Sequence, residues 1–363
     1  MFLAPKKIDW YIFRKFMGTF FMSLLLIIGI VIIFDISEKI DDFVEMKAPL
    51  KAIIFDYYLN FIPYFINMYS PMFVFITVIF FTSKMASNSE IVAILSGGVS
   101  FHRMMVPYMV GATIITGLSL GLSLFVIPDS NKEKVAFEQK YMKEKPKKPL
   151  RNIHFQVAPG QFVYAESFSS WNNTAYKFTI ERIKDSRLVS KISAETAVYD
   201  TLKGCWNLKK YFKRDFNDDL TDKITSGRQM DTVLPLNTKD FLFTENSVTT
   251  LNYDELKEMI DRFTMRGDPN VKVALIEKHT RFALPFSALI LTVIGVSLSS
   301  RKRRGGIGWN IALGIALAFT YILFMRFSQM FVDTYTLTPA VALWLPNIVF
   351  AVIAIVLYRL APK

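Results

Sequence analysis

A chain of 363 residues that is 52% hydrophobic, with 33 phenylalanines and a mean hydropathy of +0.30, falls outside the ordinary soluble class, yet its 20% of charged residues are too many for membrane spans alone. The formal net charge of +12 would suit a nucleic-acid-binding protein until the positions of the cations are considered. A single cysteine, Cys205, excludes an intrachain disulfide and a cysteine-rich metal site.

Six stretches contain no charged residue: 16–34, 57–83, 104–128, 282–300, 305–325 and 334–358. The shortest have 19 residues, which at about 1.5 Å per residue reach roughly 28 Å, close to the hydrocarbon thickness of about 30 Å. They are apolar all round, without the polar face of a helix at the surface of a soluble core, so all six are predicted to span a membrane. The first is expected to be a retained span: it is long for a signal sequence, and Phe34-Asp35-Ile36 is no small-residue cleavage site. With the N-terminus inside, the segments 1–15, 84–103, 301–304 and 359–363 hold twelve Lys or Arg, against four in the opposite short loops 35–51 and 326–333. This asymmetry places both termini in the cytoplasm and the long segment 129–281 outside, and it accounts for the net charge without nucleic acid. Arg301-Lys302-Arg303-Arg304 is then a topology anchor facing anionic lipid.

The expected organisation is 1–128 for the first three spans, 129–270 for an inserted domain and 271–363 for the last three spans. The charged stretch Asp129 to Arg151 begins as a helix continuing the third span, which Pro146 and Pro149 end. From Asn152 the period becomes two. Ile153, Phe155 and Val157 alternate with polar residues up to the turn Ala158-Pro159-Gly160, and runs around Phe162, Tyr176, Ala194 and Trp206 follow at short spacing. Such spacing predicts an antiparallel sandwich or an open barrel. Phe155, Phe162, Tyr164, Phe178 and Ile180 are expected on one face, either as ordinary core or as the lining of an apolar path for acyl chains. Helical periodicity returns at Tyr253 to Phe263, and a further helix from Val271 leads into the fourth span.

No Walker A pattern is present, Gly305-Gly306-Ile307-Gly308 lacks dinucleotide spacing, and His102, His154 and His279 form no zinc-protease pair, so the chain is not read as an enzyme. The short loop between the second and third spans is more informative. Ser87-Asn88-Ser89-Glu90 fits a capping box, followed by Ile91, Val92, Ile94 and Leu95 and then Gly97-Gly98. This predicts a short amphipathic helix near 87–98, which is either a plain connector or a coupling element that docks into a partner through Glu90, Ile91, Ile94 and Leu95.

Four segments carry a resemblance: Ile8-Asp9-Trp10-Tyr11-Ile12, Asn88 to Ile91 with Gly97-Gly98-Val99-Ser100, Arg281-Phe282-Ala283-Leu284-Pro285, and Arg301 to Gly306. In their order and spacing, with three-plus-three spans around a strand domain, the whole chain resembles the LptF/LptG family of lipopolysaccharide-export permeases. The resemblance implies an α-helical membrane protein with an inserted periplasmic, jellyroll-like all-β domain, in the inner membrane of a two-membraned bacterium. It also implies the partners: a homologous permease subunit, a dimer of a separate cytoplasmic ATPase that carries the ATP and Mg, a periplasmic jellyroll bridge protein, and lipopolysaccharide drawn from membrane lipid. This chain itself would need no cofactor. Rival readings are a permease for another lipid or lipoprotein and a non-transporting structural membrane protein.

Family members can carry a lysine at the outer end of span one for lipid phosphates; here Lys39 is the one basic residue there, and it is offset. Lys278 and Arg281 are further headgroup candidates by charge, with snorkelling anchors as the simpler role. Small-residue pairs permit close helix contact: Gly117 with Gly121 in span three, and Gly308 with Ala312 and Gly314 with Ala318 in span five. Because the resemblance puts spans one and five at the subunit seam, the span-five pairs are the candidates for packing between subunits.

Overall fold

The computed structural model describes residues 7–142, 151–169, 171–201, 203–216, 221–241, 245–268, 270–301, 306–334 and 336–361. Lys6, the charged run 143–150 with its two prolines, Lys302, Arg303, Arg304, Gly305 and Lys363 lie outside the described residues. In chain order the elements begin with α1 (Lys7–Glu45), α2 (Leu50–Ala52), a π-helical turn (Ile53–Tyr58) and α3 (Leu59–Ser87). Next come α4 (Glu90–Ser96), α5 (Phe101–Gly121), a second π-helical turn (Leu122–Val126) and α6 (Ile127–Tyr141). Six strands follow: β1 (Arg151–Ala158), β2 (Gln161–Ser169), β3 (Thr174–Lys184), β4 (Arg187–Asp200), β5 (Cys205–Phe216) and β6 (Asp222–Thr232). The chain then forms α7 (Thr238–Phe241), α8 (Glu245–Thr249), α9 (Tyr253–Arg266), α10 (Val271–Ser299), α11 (Gly306–Asp333) and α12 (Pro339–Leu360). It divides into two compact units, one comprising Met1–Lys143, Thr249–Tyr253 and Leu275–Lys363, the other Glu144–Val248 and Asp254–Ala274.

In the first unit, six helical segments among the described residues are long and apolar enough to cross a membrane, three before the strands and three after. Hydrocarbon offers no hydrogen-bond partners, so each span satisfies its own backbone, and Pro63, Pro71, Pro107, Pro285 and Pro346 are carried inside helices. One core cluster gathers Phe16 and Phe20 of α1, Val74 and Val78 of α3, and Met104 and Tyr108 of α5. Gly111 lets α1 and α5 approach, since a Cβ there would lie 2.6 Å from the Phe16 ring. A second cluster joins Phe75 and Ile79 of α3 to Leu291 of α10, Tyr321 of α11 and Phe350 of α12.

The second unit holds one six-stranded antiparallel sheet in sequential order, β1-β2-β3-β4-β5-β6, the inserted all-β domain expected from the strand spacing. Only two to five residues separate successive strands, and each strand pairs with its sequence neighbour. One face is covered by Leu234, Leu236 and Phe241, which pack with Phe178 and Trp206. The Trp206 ring stacks on Phe178 at 5.4 Å, and its indole N–H donates to the Leu236 carbonyl at 2.8 Å.

A crease runs across this sheet. Asn152, Lys177 and Lys210, in β1, β3 and β5, have left-handed backbone angles of 53°, 47° and 51°. Extending the pairing registers puts them at one level, with Glu166 and Glu195 on the intervening strands. Side-chain alternation shifts there: the core side changes from Ala165 to Phe168, from Phe178 to Ala175, and from Ala194 to Ala197, three residues apart where a flat strand would give two or four. Ion pairs Lys177–Glu166 and Lys210–Glu195, both 2.6 Å, follow the same line. Left-handed angles cost an L-residue of this kind about 1–2 kcal/mol each, so the crease is strained.

That strain inverts an ordinary rule. Valine stabilises a regular strand, whereas Lys210→Val will lower the stability of the sheet by about 1–2 kcal/mol and Lys210→Asn will be close to neutral. Hydrogen exchange of the β4 and β5 amides in the full-length protein reads the difference, and a valine variant as protected as the parent would show that the backbone there is unstrained.

Candidate functional site

The loop between α3 and α5 does form a helix, but not through the expected capping box. Ser87 remains the last residue of α3, and Ser89, in the left-handed region at 62°, precedes α4 with no side-chain cap. Glu90 is thus the first residue of α4 rather than the third after a serine cap. Ile91 is 1% exposed within the cluster that includes Phe16 and Met104, and Ile94 and Leu95 pack against that cluster. Of the four residues expected to couple to a partner, the three aliphatic ones therefore hold α4 to its own bundle. The outward face is Val92, 54% exposed, with Ala93 and Ser96. Helical periodicity carries this signal in the sequence: Ile91, Ile94 and Leu95 make the i, i+3, i+4 stripe that turns inward, and Val92 is off it.

Glu90 has partners within the chain. The Tyr11 hydroxyl donates to one carboxylate oxygen at 2.9 Å, the Asn88 amide approaches the other at 3.3 Å, and the Lys15 ammonium lies 3.9 Å away. Lys15 also donates to the Tyr11 hydroxyl, and its ammonium sits 4.5 Å from the ring centroid. Nearby, Arg103 of α5 pairs with Asp9 of α1. The start of α1 is thereby joined by polar contacts to both α4 and α5.

At the far end of α1, Lys39 donates to Asp35 at 2.5 Å and to the Tyr57 hydroxyl, and it lies 4.7 Å from the Tyr57 ring. The Tyr58 hydroxyl donates to the other Asp35 oxygen at 3.0 Å. Both tyrosines end the π-helical turn Ile53–Tyr58, a widened turn of a kind often found at functional sites. Sequence reasoning missed Lys134 of α6, a half-buried cation 5.9 Å from the Phe61 ring and 5.5 Å from that of Tyr64. It sits in a stretch so rich in lysine and glutamate that composition cannot single it out. Lys39 and Lys134 thus flank the same ring, Phe61.

On α10, Lys278 is half-buried, while Arg281 is 4% exposed and its Nε donates to Glu277 at 2.8 Å. A buried guanidinium differs from a snorkelling anchor, whose head stays at the surface. Removing it leaves Glu277 without this charged contact. Arg281→Ala is therefore expected to cost about 1.5–3 kcal/mol of stability and Lys278→Ala much less. Thermal unfolding of the detergent-solubilised protein compares the two, and equal losses would contradict the burial of Arg281.

The five aromatic and aliphatic candidates of the sheet do not share a face. Phe155, Phe178 and Ile180 are in the core, where Val163, paired with both Phe155 and Ile180, represents β2. Phe162 is 37% exposed on the opposite face, beside Tyr164, whose ring lies 4.7 Å from that of His154. They line an open cavity of about 480 Å³ together with Glu181, Lys191 and Arg266. Matching apolar positions between strands requires the register, which alternation within one strand does not contain.

The span-five pairs also separate. A Cβ at Gly314 would come within 2.3 Å of the Ile79 side chain of α3, and Ala318 is buried in the same cluster, so this pair packs α11 inside the chain. Gly308 and Ala312 are exposed, with nothing near a Cβ placed at Gly308. Gly117 and Gly121 likewise have nothing within 4 Å of a Cβ.

Comparison with curated proteins gives no match. The family of the lipopolysaccharide export system permease LptF/LptG matches residues 10–360, from the start of α1 through the strand insertion to the end of α12. With six spanning helices and a β-sheet domain inserted between the third and fourth, the chain belongs to the LptF/LptG family of lipopolysaccharide export permeases.

Proposed function

We propose that this chain is one of two homologous permease subunits of an ATP-driven exporter, which extracts lipopolysaccharide from the bacterial inner membrane and passes it to a periplasmic jellyroll bridge. ATP and Mg belong to a separate cytoplasmic ATPase dimer, and both termini of this chain face the cytoplasm with the strand domain in the periplasm. The observation that carries the coupling part is α4, a short helix anchored by Ile91 and presenting Val92, Ala93 and Ser96 outward. A helix docked on its own bundle moves with that bundle, so force applied to its outer face reaches α1 and α5 through the Glu90–Tyr11 and Asp9–Arg103 contacts.

At the other end of the path, the cations Lys39, Lys134 and Lys278 and the buried Arg281 are the groups toward which anionic lipid headgroups would be drawn, with Asp35 and Glu277 as internal competitors. In the strand domain the core residues Phe155, Phe178 and Ile180 would meet acyl chains only if the covering segment Leu234 to Phe241 moved aside, whereas Phe162 and Tyr164 are reachable as they stand. Gly308 and Ala312 remain for a partner subunit.

Val92→Asp tests the coupling, because it places a charge on the outer face without touching an internal contact. It should reduce retention of the ATPase in the purified complex and lipopolysaccharide release per complex by about tenfold or more. Glu90→Lys, which puts a cation beside Lys15, should do the same, while Glu90→Gln can still accept from Tyr11 and should lose less. Normal ATPase retention and release in Val92→Asp would remove α4 as the coupling element.

A further inference from the structure

The first five turns of α1 carry a second constellation, separate from the α4 surface. Lys7, Trp10, Arg14 and Lys15 line an open cavity of about 540 Å³ that continues to Gly18 and Thr19. Gly18 and Thr19 are also the first residues of an apolar groove of about 480 Å³, whose walls are Met22 and Leu26 of α1, Ile76 and Phe80 of α3, and Ile311 of α11. A cationic, aromatic concavity thus runs without interruption into a hydrocarbon-lined trough.

The charge balance at its head is positive. Of the two carboxylates close by, Asp9 pairs with Arg103, and Glu90 accepts from Tyr11 on the α4 side. Trp10, 62% exposed and stacked on Phe13 at 5.6 Å, is an amphipathic ring of the type that sits at headgroup level. The spacing fits a leaflet: from Lys15 at the cationic head to Leu26 at the far end of the trough is twelve residues of helix, a rise of roughly 16 Å, against about 15 Å for one leaflet of the hydrocarbon core. Lys and Arg asymmetry puts this end of α1 at the cytoplasmic leaflet, where anionic lipids concentrate and basic pockets between spans bind their headgroups.

We propose that this surface binds an anionic glycerophospholipid of the cytoplasmic leaflet, its phosphate held by Lys7, Arg14 and Lys15 and one acyl chain lying in the α1–α3–α11 groove. Export of lipopolysaccharide is not required for it, but the two readings share Lys15, beside the α4 network, and the face of α11 where Ile311 lies with Gly308 and Ala312. The Lys15 that would meet the phosphate is also 3.9 Å from Glu90, so an occupied site touches the α4 network through one cation.

The test uses the full-length protein in phosphatidylcholine nanodiscs doped with phosphatidylglycerol, with bound lipid counted by native mass spectrometry. The parent should retain phosphatidylglycerol in preference to phosphatidylcholine. Replacing Lys7, Arg14 and Lys15 by alanine should lower its affinity by about fivefold per cation removed. Gly18→Leu supplies a second, uncharged variant: nothing lies within 4 Å of a Cβ there, so the fold admits the side chain while it fills the trough, and retention should again fall. Soluble glycerol 3-phosphate, which has the headgroup chemistry without the chains, should displace nothing. The proposal fails if the triple variant keeps phosphatidylglycerol as the parent does, if both lipids are held equally, if glycerol 3-phosphate competes, or if Gly18→Leu disturbs subunit pairing with lipid content unchanged.

Discussion

Within a bilayer, apolar burial alone gives two helices little reason to associate, so close approach and hydrogen bonds must do it. Helix α3 is where both converge. Its Ile79 fills the space left by Gly314 of α11, its Thr77 hydroxyl meets Ser23 of α1 at 3.1 Å, and its Ser83 accepts from Asn310 of α11 at 3.1 Å. Thr82 donates to Tyr108 of α5 at 3.0 Å, and Asn67 donates to Ser123 at 2.7 Å beyond α5. Every other span of the first unit takes its place against this helix or against a neighbour that does.

The consequence is an asymmetric bundle. Helix α3 is spent on internal contacts, while α1 and α11 on its flanks leave long apolar surfaces open, with Phe21, Leu25 and Phe34 on one and Phe319, Leu323 and Phe327 on the other. Polar contacts at the two ends of α1 hold it in place: Asp9 and Tyr11 at one end, Asp35 and Lys39 at the other. A helix fastened at its ends and exposed along its middle suits a surface that meets lipid or a second subunit, and the groove beside it has a charged mouth for the same reason.

The strand unit solves a different problem. A single sequential sheet with one covered face would ordinarily be flat or evenly twisted, and the left-handed residues of β1, β3 and β5 fold it along a line instead. The covering segment Leu234 to Phe241 then has aromatic partners from both sides of that line, its Phe241 meeting Phe155 from one side and Phe168 and Trp206 from the other. The cost is local backbone strain. The ion pairs along the crease sit where that strain is greatest, although pairs so exposed contribute little on their own.

Much of this was already determined by the order of residues. Spans are long runs without charge, and a run of that kind has one stable arrangement in hydrocarbon, so 16–34 and 334–358 could be read as α1 and α12 without any tertiary information. Strands with a period of two, and the motifs from Ile8 to Gly306 that carry the family, are equally local in sequence. Which face of each element is used is not local. Ile91 and Val92 are adjacent and both apolar, and only the position of α4 against Phe16 and Met104 makes one an anchor and the other a surface. Phe162 and Phe178 look alike in their strands, but cross-strand register and the crease send them to opposite sides of the sheet. Lys39 and Glu90 read as available charges until folding brings Asp35 and Tyr11 to them: Asp35 from four positions back, one turn along the same helix, and Tyr11 from 79 positions back, near the start of α1. A side chain's type is a property of the sequence; its partner is set by distances in space, which only the packed chain supplies.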